Sequence, residues 1–264
     1  MTHIRMERTD RVGVITIDRP ARFNSLDIVT AQDFRRAGLQ FARDDEVRVV
    51  VLRGLPGMFC SGADLKFIRD GGDAGGMTYG ESFKEILEYI HSTISEIRRA
   101  PKPFIAAVDG VAAAGGFGIA MSCDLVVASS RASFEWAYSR TGLTGAESST
   151  FLLPRLIGLR RSMELMLLNP RLSAHQALDY GLITAVYDPD DFDRQTLAMA
   201  RQLADGPRRA FAVAKELLNQ AAGIDRLDAH LDQELLELSR VADGAEFAEG
   251  LAAFFGKRAA AFEP

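Results

Sequence analysis

Cysteine is scarce in this chain of 264 residues: only Cys60 and Cys123 are present. Two cysteines cannot build a disulfide framework, and both lie in apolar surroundings that suit a reducing compartment. The four histidines, His3, His91, His175 and His230, are scattered, with no paired ligand spacing among themselves or with the cysteines, which argues against a zinc enzyme. No run approaches the ~20 apolar residues of a membrane span. The stretch from Met1 to Arg11 is charged where a signal peptide would be apolar, so a cytoplasmic protein is expected, without a membrane partner. Neither charge dominates: 31 Lys plus Arg against 36 Asp plus Glu leave a net charge of −5. That weak acidity speaks against a general affinity for nucleic acid or anionic lipid. A G-x-S-x-G elbow and a P-loop signature are both absent, which removes serine hydrolases of that type and nucleoside triphosphatases.

With 47% hydrophobic and 25% charged residues, the chain has the make-up of a folded globular protein with a sizeable core. At roughly 150 residues per domain, the length fits one large domain or one domain with a helical appendage. Val12 to Ile17 reads as a buried strand stopped at Pro20. A helix is predicted from about residue 30 to 43. Further strands are predicted at Arg48 to Arg53, Phe104 to Val108 and Leu125 to Ala128. Phe83, Ile86, Leu87, Ile90, Ile94 and Ile97 recur at helical spacing. Before them, the glycines between Gly71 and Gly76 predict a segment without a fixed backbone. Beyond about Pro154 the patterns are helical, among them Leu227, Leu231, Leu235 and Leu238, with one strand predicted at Ile183 to Val186. Short strands ending in glycine turns, with helices between them, indicate an α/β fold whose strand ends are open to ligands.

Two segments place small residues where a strand passes into a loop or helix: Phe59-Cys60-Ser61-Gly62-Ala63-Asp64-Leu65 and Gly110-Val111-Ala112-Ala113-Ala114-Gly115-Gly116-Phe117-Gly118. A dinucleotide-binding reading of the second fails on spacing, which is wrong for G-x-G-x-x-G. Small residues let a ligand approach the backbone. A helix starting near Gly115 would present unpaired N–H groups with its positive dipole end, favouring an anion. The same run also fits a tight strand-to-helix packing turn.

FCSGADL, IAAVDGVAAAGGFGIAMSCD, LPRLIG and LSAHQALDYGLI together resemble the crotonase (enoyl-CoA hydratase/isomerase) superfamily over essentially the whole chain. The resemblance implies an α/β fold, a crotonase-type spiral of ββα units over residues 1–200. It also implies a helical region over 201–264 that serves oligomerisation and covers the acyl-CoA pocket, and a homotrimer or dimer of trimers. It implies an acyl-CoA thioester substrate whose carbonyl oxygen accepts two backbone N–H bonds; by motif position the donors are Ala63 and Gly115. No metal or redox cofactor is implied, coenzyme A being part of the substrate. Ala21, Arg22, Phe23 and Ser25 match the segment that contacts CoA. Ser61, Asp64 and Leu65 complete its adenine side, and Phe254 and Lys257 match positions that reach CoA near the C-terminus. Arg22 and Lys257 are equally readable as solvated charges, and Phe254 as a core residue.

Hydratases of this superfamily use two glutamates, and here those positions hold Gly118 and Tyr138. Glycine has no side chain, and a phenol with a pKa near ~10 is a poor base, although it can donate a hydrogen bond. The run from Ala137 to Thr144 instead resembles isomerase-like branches that carry an acid a few residues later. That aspartate position is Ala146, and the nearest carboxylate is Glu147. One acid moving one proton between two carbons of an enolate suffices for double-bond migration, so Glu147 is the candidate shuttle. It is also readable as a first-turn helix carboxylate. Glu135 is a weaker candidate, expected from strand alternation to face away; His91 is expected on a helix face, and Asp64 to support the loop or the ligand. The reading favoured is an enoyl-CoA double-bond isomerase. The alternatives are a hydratase with a nonstandard acid or base and a noncatalytic acyl-CoA-binding relative.

Overall fold

A computed structural model of the chain describes residues 1–262. Its strands are β1 (Ile4–Thr9), β2 (Val12–Ile17), β3 (Val49–Arg53), β4 (Phe104–Val108), β5 (Val111–Ala113), β6 (Leu125–Ser129), β7 (Ser133–Glu135), β8 (Leu172–Ser173) and β9 (Ala185–Tyr187). The helices are α1 (Ile28–Arg43), α2 (Leu65–Asp73), α3 (Tyr79–Arg99), α4 (Gly115–Ser122), α5 (Ser149–Leu156), α6 (Gly158–Leu168), α7 (Ala174–Asp179), α8 (Phe192–Ala204), α9 (Arg208–Ala221), α10 (Leu227–Ala242) and α11 (Ala245–Gly256). Among the described residues, no helix is long and apolar enough to cross a membrane.

Six strands form one sheet in the order β1-β2-β3-β4-β6-β9, with β1 antiparallel to β2 and the others parallel. Residues 49–52 and all of β4 are buried, as continuous apolar strands covered on both faces must be. One face packs under α1 and α3, and the other under α8 through Phe192, Ala200 and Ala204. A second, smaller sheet has the order β5-β7-β8. It continues through single bridges between Cys60 and Ala112 and between Leu26 and Ala63. Each pass from a strand of the large sheet therefore adds a rung to the small one, and the FCSGADL and GVAAAGGFG segments become adjacent rungs.

The helix starts follow capping chemistry. Asp27 accepts the Thr30 amide at 2.8 Å, and Thr78 and Glu81 form a reciprocal capping box at α3. Two local expectations are corrected. Gly71 and Gly72 lie inside the last turn of α2, held by the packing of that helix, and the loop begins only at Ala74. The strand predicted at Ile183 to Val186 starts at Ala185, because Ile183 is buried in the core before the chain joins β6. The charged N-terminus contains β1, whose six residues pair along the whole of β2. Residue 200 falls within α8, so the chain enters the C-terminal helices without a break there.

Candidate active site

A cavity of about 490 Å³ opens where the two small-residue rungs meet. Ala21, Arg22, Phe23, Ser25, Ser61, Ala63, Asp64, Leu65, Gly115, Tyr138, Glu147 and Phe254 all line it. Lys257 does not: it caps α11 in a left-handed conformation and is exposed. Phe254 is 57% exposed and forms part of the cavity rim instead of the core, because it projects from the outer side of the terminal helix.

The first rung is held from both sides. Leu26 donates to Gly62 O at 2.8 Å and accepts from Asp64 N at 2.9 Å, while Cys60 O accepts from Ala113 N at 3.0 Å. Amide directions alternate along extended chain, so the Ala63 N–H faces away from Leu26, towards the edge where α4 begins. Gly62, at φ +91°, permits the approach; a Cβ there would stand 2.9 Å from Ala114 Cβ and 3.0 Å from Gly115 N. Gly115 is the first residue of α4, so its amide has no acceptor in the helix. Ala114 before it takes φ 46°, ψ −119° while donating to Glu135 O at 3.1 Å. That conformation costs about 1–3 kcal/mol for a residue with a Cβ and turns the chain sharply into the helix.

Asp64 anchors the other wall. It is buried, pairs with Arg19 at 2.8 Å and Arg22 at 2.5 Å, and caps α2 by accepting from Lys66 and Phe67 amides. Burial would push its carboxyl up, but the bonds from Arg22, the Phe67 amide and Arg19 hold it below the usual range. Arg22 is thus an ion-pair partner and not a free surface charge. Asp64→Asn leaves Arg22 without its paired carboxylate, while Arg19 keeps Asp27 at 2.5 Å, and is expected to destabilise the fold by about 1–3 kcal/mol. Denaturant titration checks this; an unchanged midpoint would count against the anchoring role.

Glu147 lies at the floor, buried, with φ 51°, and Ser148 follows at φ 63°. Two successive left-handed residues with Cβ atoms are uncommon. The turn points the carboxyl at the second rung, where a Cβ on Gly115 would be 2.7 Å from Glu147 Oε1. The Tyr138 hydroxyl donates to Glu147 Oε2. Burial first, then the nearby Glu234, pushes the Glu147 carboxyl up to about 8, against the lowering effect of the tyrosine bond. Burial and the two carboxylates raise Tyr138 well above its ordinary value, so the phenol stays protonated and acts as a donor.

Glu135 does not face away. Phe134 turns into the core, which sends Glu135 to the cavity side, where it is buried against Arg140 at 2.8 Å and Arg171 at 3.0 Å. Two cations occupy that carboxylate. His91 lies on the buried face of α3, and its Nε2 accepts from the Glu147 amide at 3.1 Å. Burial lowers this imidazole to about 4, so the ring is neutral.

Sequence reasoning overlooked Glu234, whose carboxylate accepts from Ser148 N at 2.8 Å and Thr150 N at 3.0 Å. A signal did exist. Leu227, Leu231, Glu234, Leu238 and Ala242 form the buried stripe of α10, and a carboxylate on such a stripe needs a buried partner. His91, between Leu87 and Ile94 on the α3 stripe, carried the same signal.

Residues 7–264 match the model of the enoyl-CoA hydratase/isomerase family, and the chain belongs to that family. Among curated relatives, it is 32% identical over 255 residues to 4-chlorobenzoyl coenzyme A dehalogenase-2 from Arthrobacter sp, covering 97% of this chain and 91% of the relative. It is 33% identical over 251 residues to 1,2-epoxyphenylacetyl-CoA isomerase from Escherichia coli, covering 95% and 94%. The crystal structure of an enoyl-CoA hydratase from Mycobacterium avium subsp. paratuberculosis superposes with a TM-score of 0.89 at 32% identity, covering 99% of each chain. The fold is the crotonase-type α/β spiral with a helical C-terminal region.

Proposed function

We propose that the cavity binds an acyl-CoA thioester and shifts a carbon–carbon double bond through an enolate, with Glu147 moving the proton. One observation carries this reading: the glutamate at the floor of the cavity lies against Gly115, at the meeting point of the two small-residue rungs, with Tyr138 donating to it. The thioester oxygen accepts from the Ala63 and Gly115 amides. Ionised Glu147 takes the proton from C2 of a 3-enoyl thioester; the C–H electron pair spreads onto the oxygen as a dienolate. The protonated carboxyl then returns the proton to C4, leaving the 2-enoyl thioester. A preformed oxyanion donor lowers such a barrier by about 3–4 kcal/mol, and a placed acid–base group contributes roughly 10²–10⁴-fold.

Ala21, Arg22, Phe23, Ser25, Ser61, Asp64 and Leu65 form the CoA wall, with Phe254 at its rim. Lys257, outside this cavity, reaches CoA in our reading only from a neighbouring subunit of a trimer. The chemistry requires no metal or redox group. Relatives named as a dehalogenase, an epoxide isomerase and hydratases differ in the reaction but share the CoA ester in most of their names.

The test is turnover of a panel of 3-enoyl-CoA esters in deuterated and oxygen-labelled water. The expected result is deuterium at C2 and C4 with no label entering as oxygen. A labelled 3-hydroxyacyl product would establish hydration instead, and CoA-ester binding without exchange would establish a binding protein. The base must be ionised, and Glu147 is held up to about 8. kcat/KM should therefore rise about tenfold per pH unit through neutrality and level off above about 8. A rate independent of pH between 6 and 9 would show that no group titrating near 8 has to lose its proton for turnover.

A further inference from the structure

Ser148 occupies the N-cap position of α5 in a left-handed conformation, and its side chain makes no capping bond. The carboxylate that takes the free amides comes instead from α10: Glu234 Oε2 accepts from Ser148 and Oε1 from Thr150, whose hydroxyl also donates to Oε1. Glu234 is 5% exposed. We propose that Glu234 is a positioning residue for the proton shuttle, gripping these amides so that Glu147 is kept in its left-handed pose against Gly115. The inference rests on the role given to Glu147 above.

A carboxylate suits the free amides at a helix start, although burying its charge is costly. The charge has a second effect. The titratable groups around Glu147 are Tyr138 from the 3₁₀ turn at Tyr138–Thr141, His91 from α3, Cys60 from the first rung, and Glu234 with His230 from α10. Tyr138 is held protonated, Cys60 is pushed up to about 12 by burial, and burial holds both His91 and His230 below their ordinary values. Glu234, raised to about 7 by burial against the lowering bonds from Thr150 and Ser148, changes charge in the neutral range. As it ionises, it opposes ionisation of Glu147. Its loss should therefore move the Glu147 transition to lower pH.

Glu234→Gln tests both effects. The amide offers one acceptor and turns its NH₂ towards the other backbone N–H. Solvent-deuterium exchange into a 3-enoyl-CoA should fall about tenfold or more, while the Kd for acetyl-CoA stays within about twofold. An isotope-edited infrared titration of the Glu147 carboxyl, read without substrate, should shift down by about one pH unit, because a like charge is gone. Glu234→Asp keeps the charge but shortens the arm: exchange should fall while the titration stays near that of the parent. Parent-like exchange and titration in either variant would overturn the proposal. So would a loss of exchange in Glu234→Gln that is matched by lost acetyl-CoA binding, with the titration unmoved, which marks a helix cap only. If Glu147→Gln itself still exchanges, the shuttle reading falls and this inference with it. If Glu147→Gln is inactive and Glu234→Gln is normal, only the positioning role falls.

Discussion

Glu147→Gln is expected to reduce double-bond migration and solvent-deuterium exchange by roughly 10²–10⁴-fold while leaving CoA-ester affinity nearly unchanged. The glutamine can still accept from the Tyr138 hydroxyl, so the geometry of the floor is retained and the proton carrier alone is removed. The same substitution should stabilise the protein at high pH. Burial raises the folded-state Glu147 carboxyl to about 8, far above an unfolded glutamate, so the fold binds the proton more tightly than the open chain does. The resulting stabilisation is complete in acid and is lost as pH climbs from the unfolded value through about 8. Above that, the parent carries a buried charge that the variant lacks, a difference on the order of 5 kcal/mol. Melting curves between pH 5 and 9 should show a falling Tm for the parent and a flatter line for the variant, with a residual slope from Glu234. Equal slopes would mean that Glu147 ionises freely in the fold, and retained exchange would mean that another group carries the proton.

Restoring the hydratase-type acid by Gly118→Glu should fail to create a hydratase. An added Cβ at residue 118 would stand 2.6 Å from Glu147 Cβ and 2.6 Å from its carbonyl oxygen, closer than real Cβ contacts and partly against backbone. The glycine of α4 and the left-handed turn at Glu147 fit each other, so a side chain at one site displaces the other. Even Gly118→Ala should cost about 1–3 kcal/mol and reduce proton exchange at least tenfold by pushing the carboxyl away from Gly115. Thermal melting and labelled-water assays measure both effects. A Gly118→Glu protein of parental stability that incorporates oxygen from water would show that the two sites are independent.

This fit explains the departure from the hydratase pattern that the sequence displays at residues 118 and 138. With Gly118 in place, the turn at Glu147 closes over α4, and Tyr138 serves as a donor to that acid, where its phenol would be useless as a base. The absent glutamates and the added one thus form one arrangement of the cavity floor.

The amino-acid order by itself determined the architecture. Apolar strands such as RVVVLR and FIAAV have to be buried on both faces, the stripe from Phe83 to Ile97 has to form a helix, and glycine and alanine at residues 62–63 and 112–116 leave room for a ligand at the backbone. These are local properties of period and side-chain size, readable along the chain. The short rungs β5, β7 and β8, with two or three residues each, lie below what a periodic pattern can signal. Only the tertiary structure decided the character of Glu147. Its acidity is set first by burial, then by the Tyr138 hydroxyl and by Glu234 on a helix near the other end of the chain, and its amide is held by His91, 56 residues before it. Desolvation and the field of a second carboxyl act through space, and no local pattern encodes them.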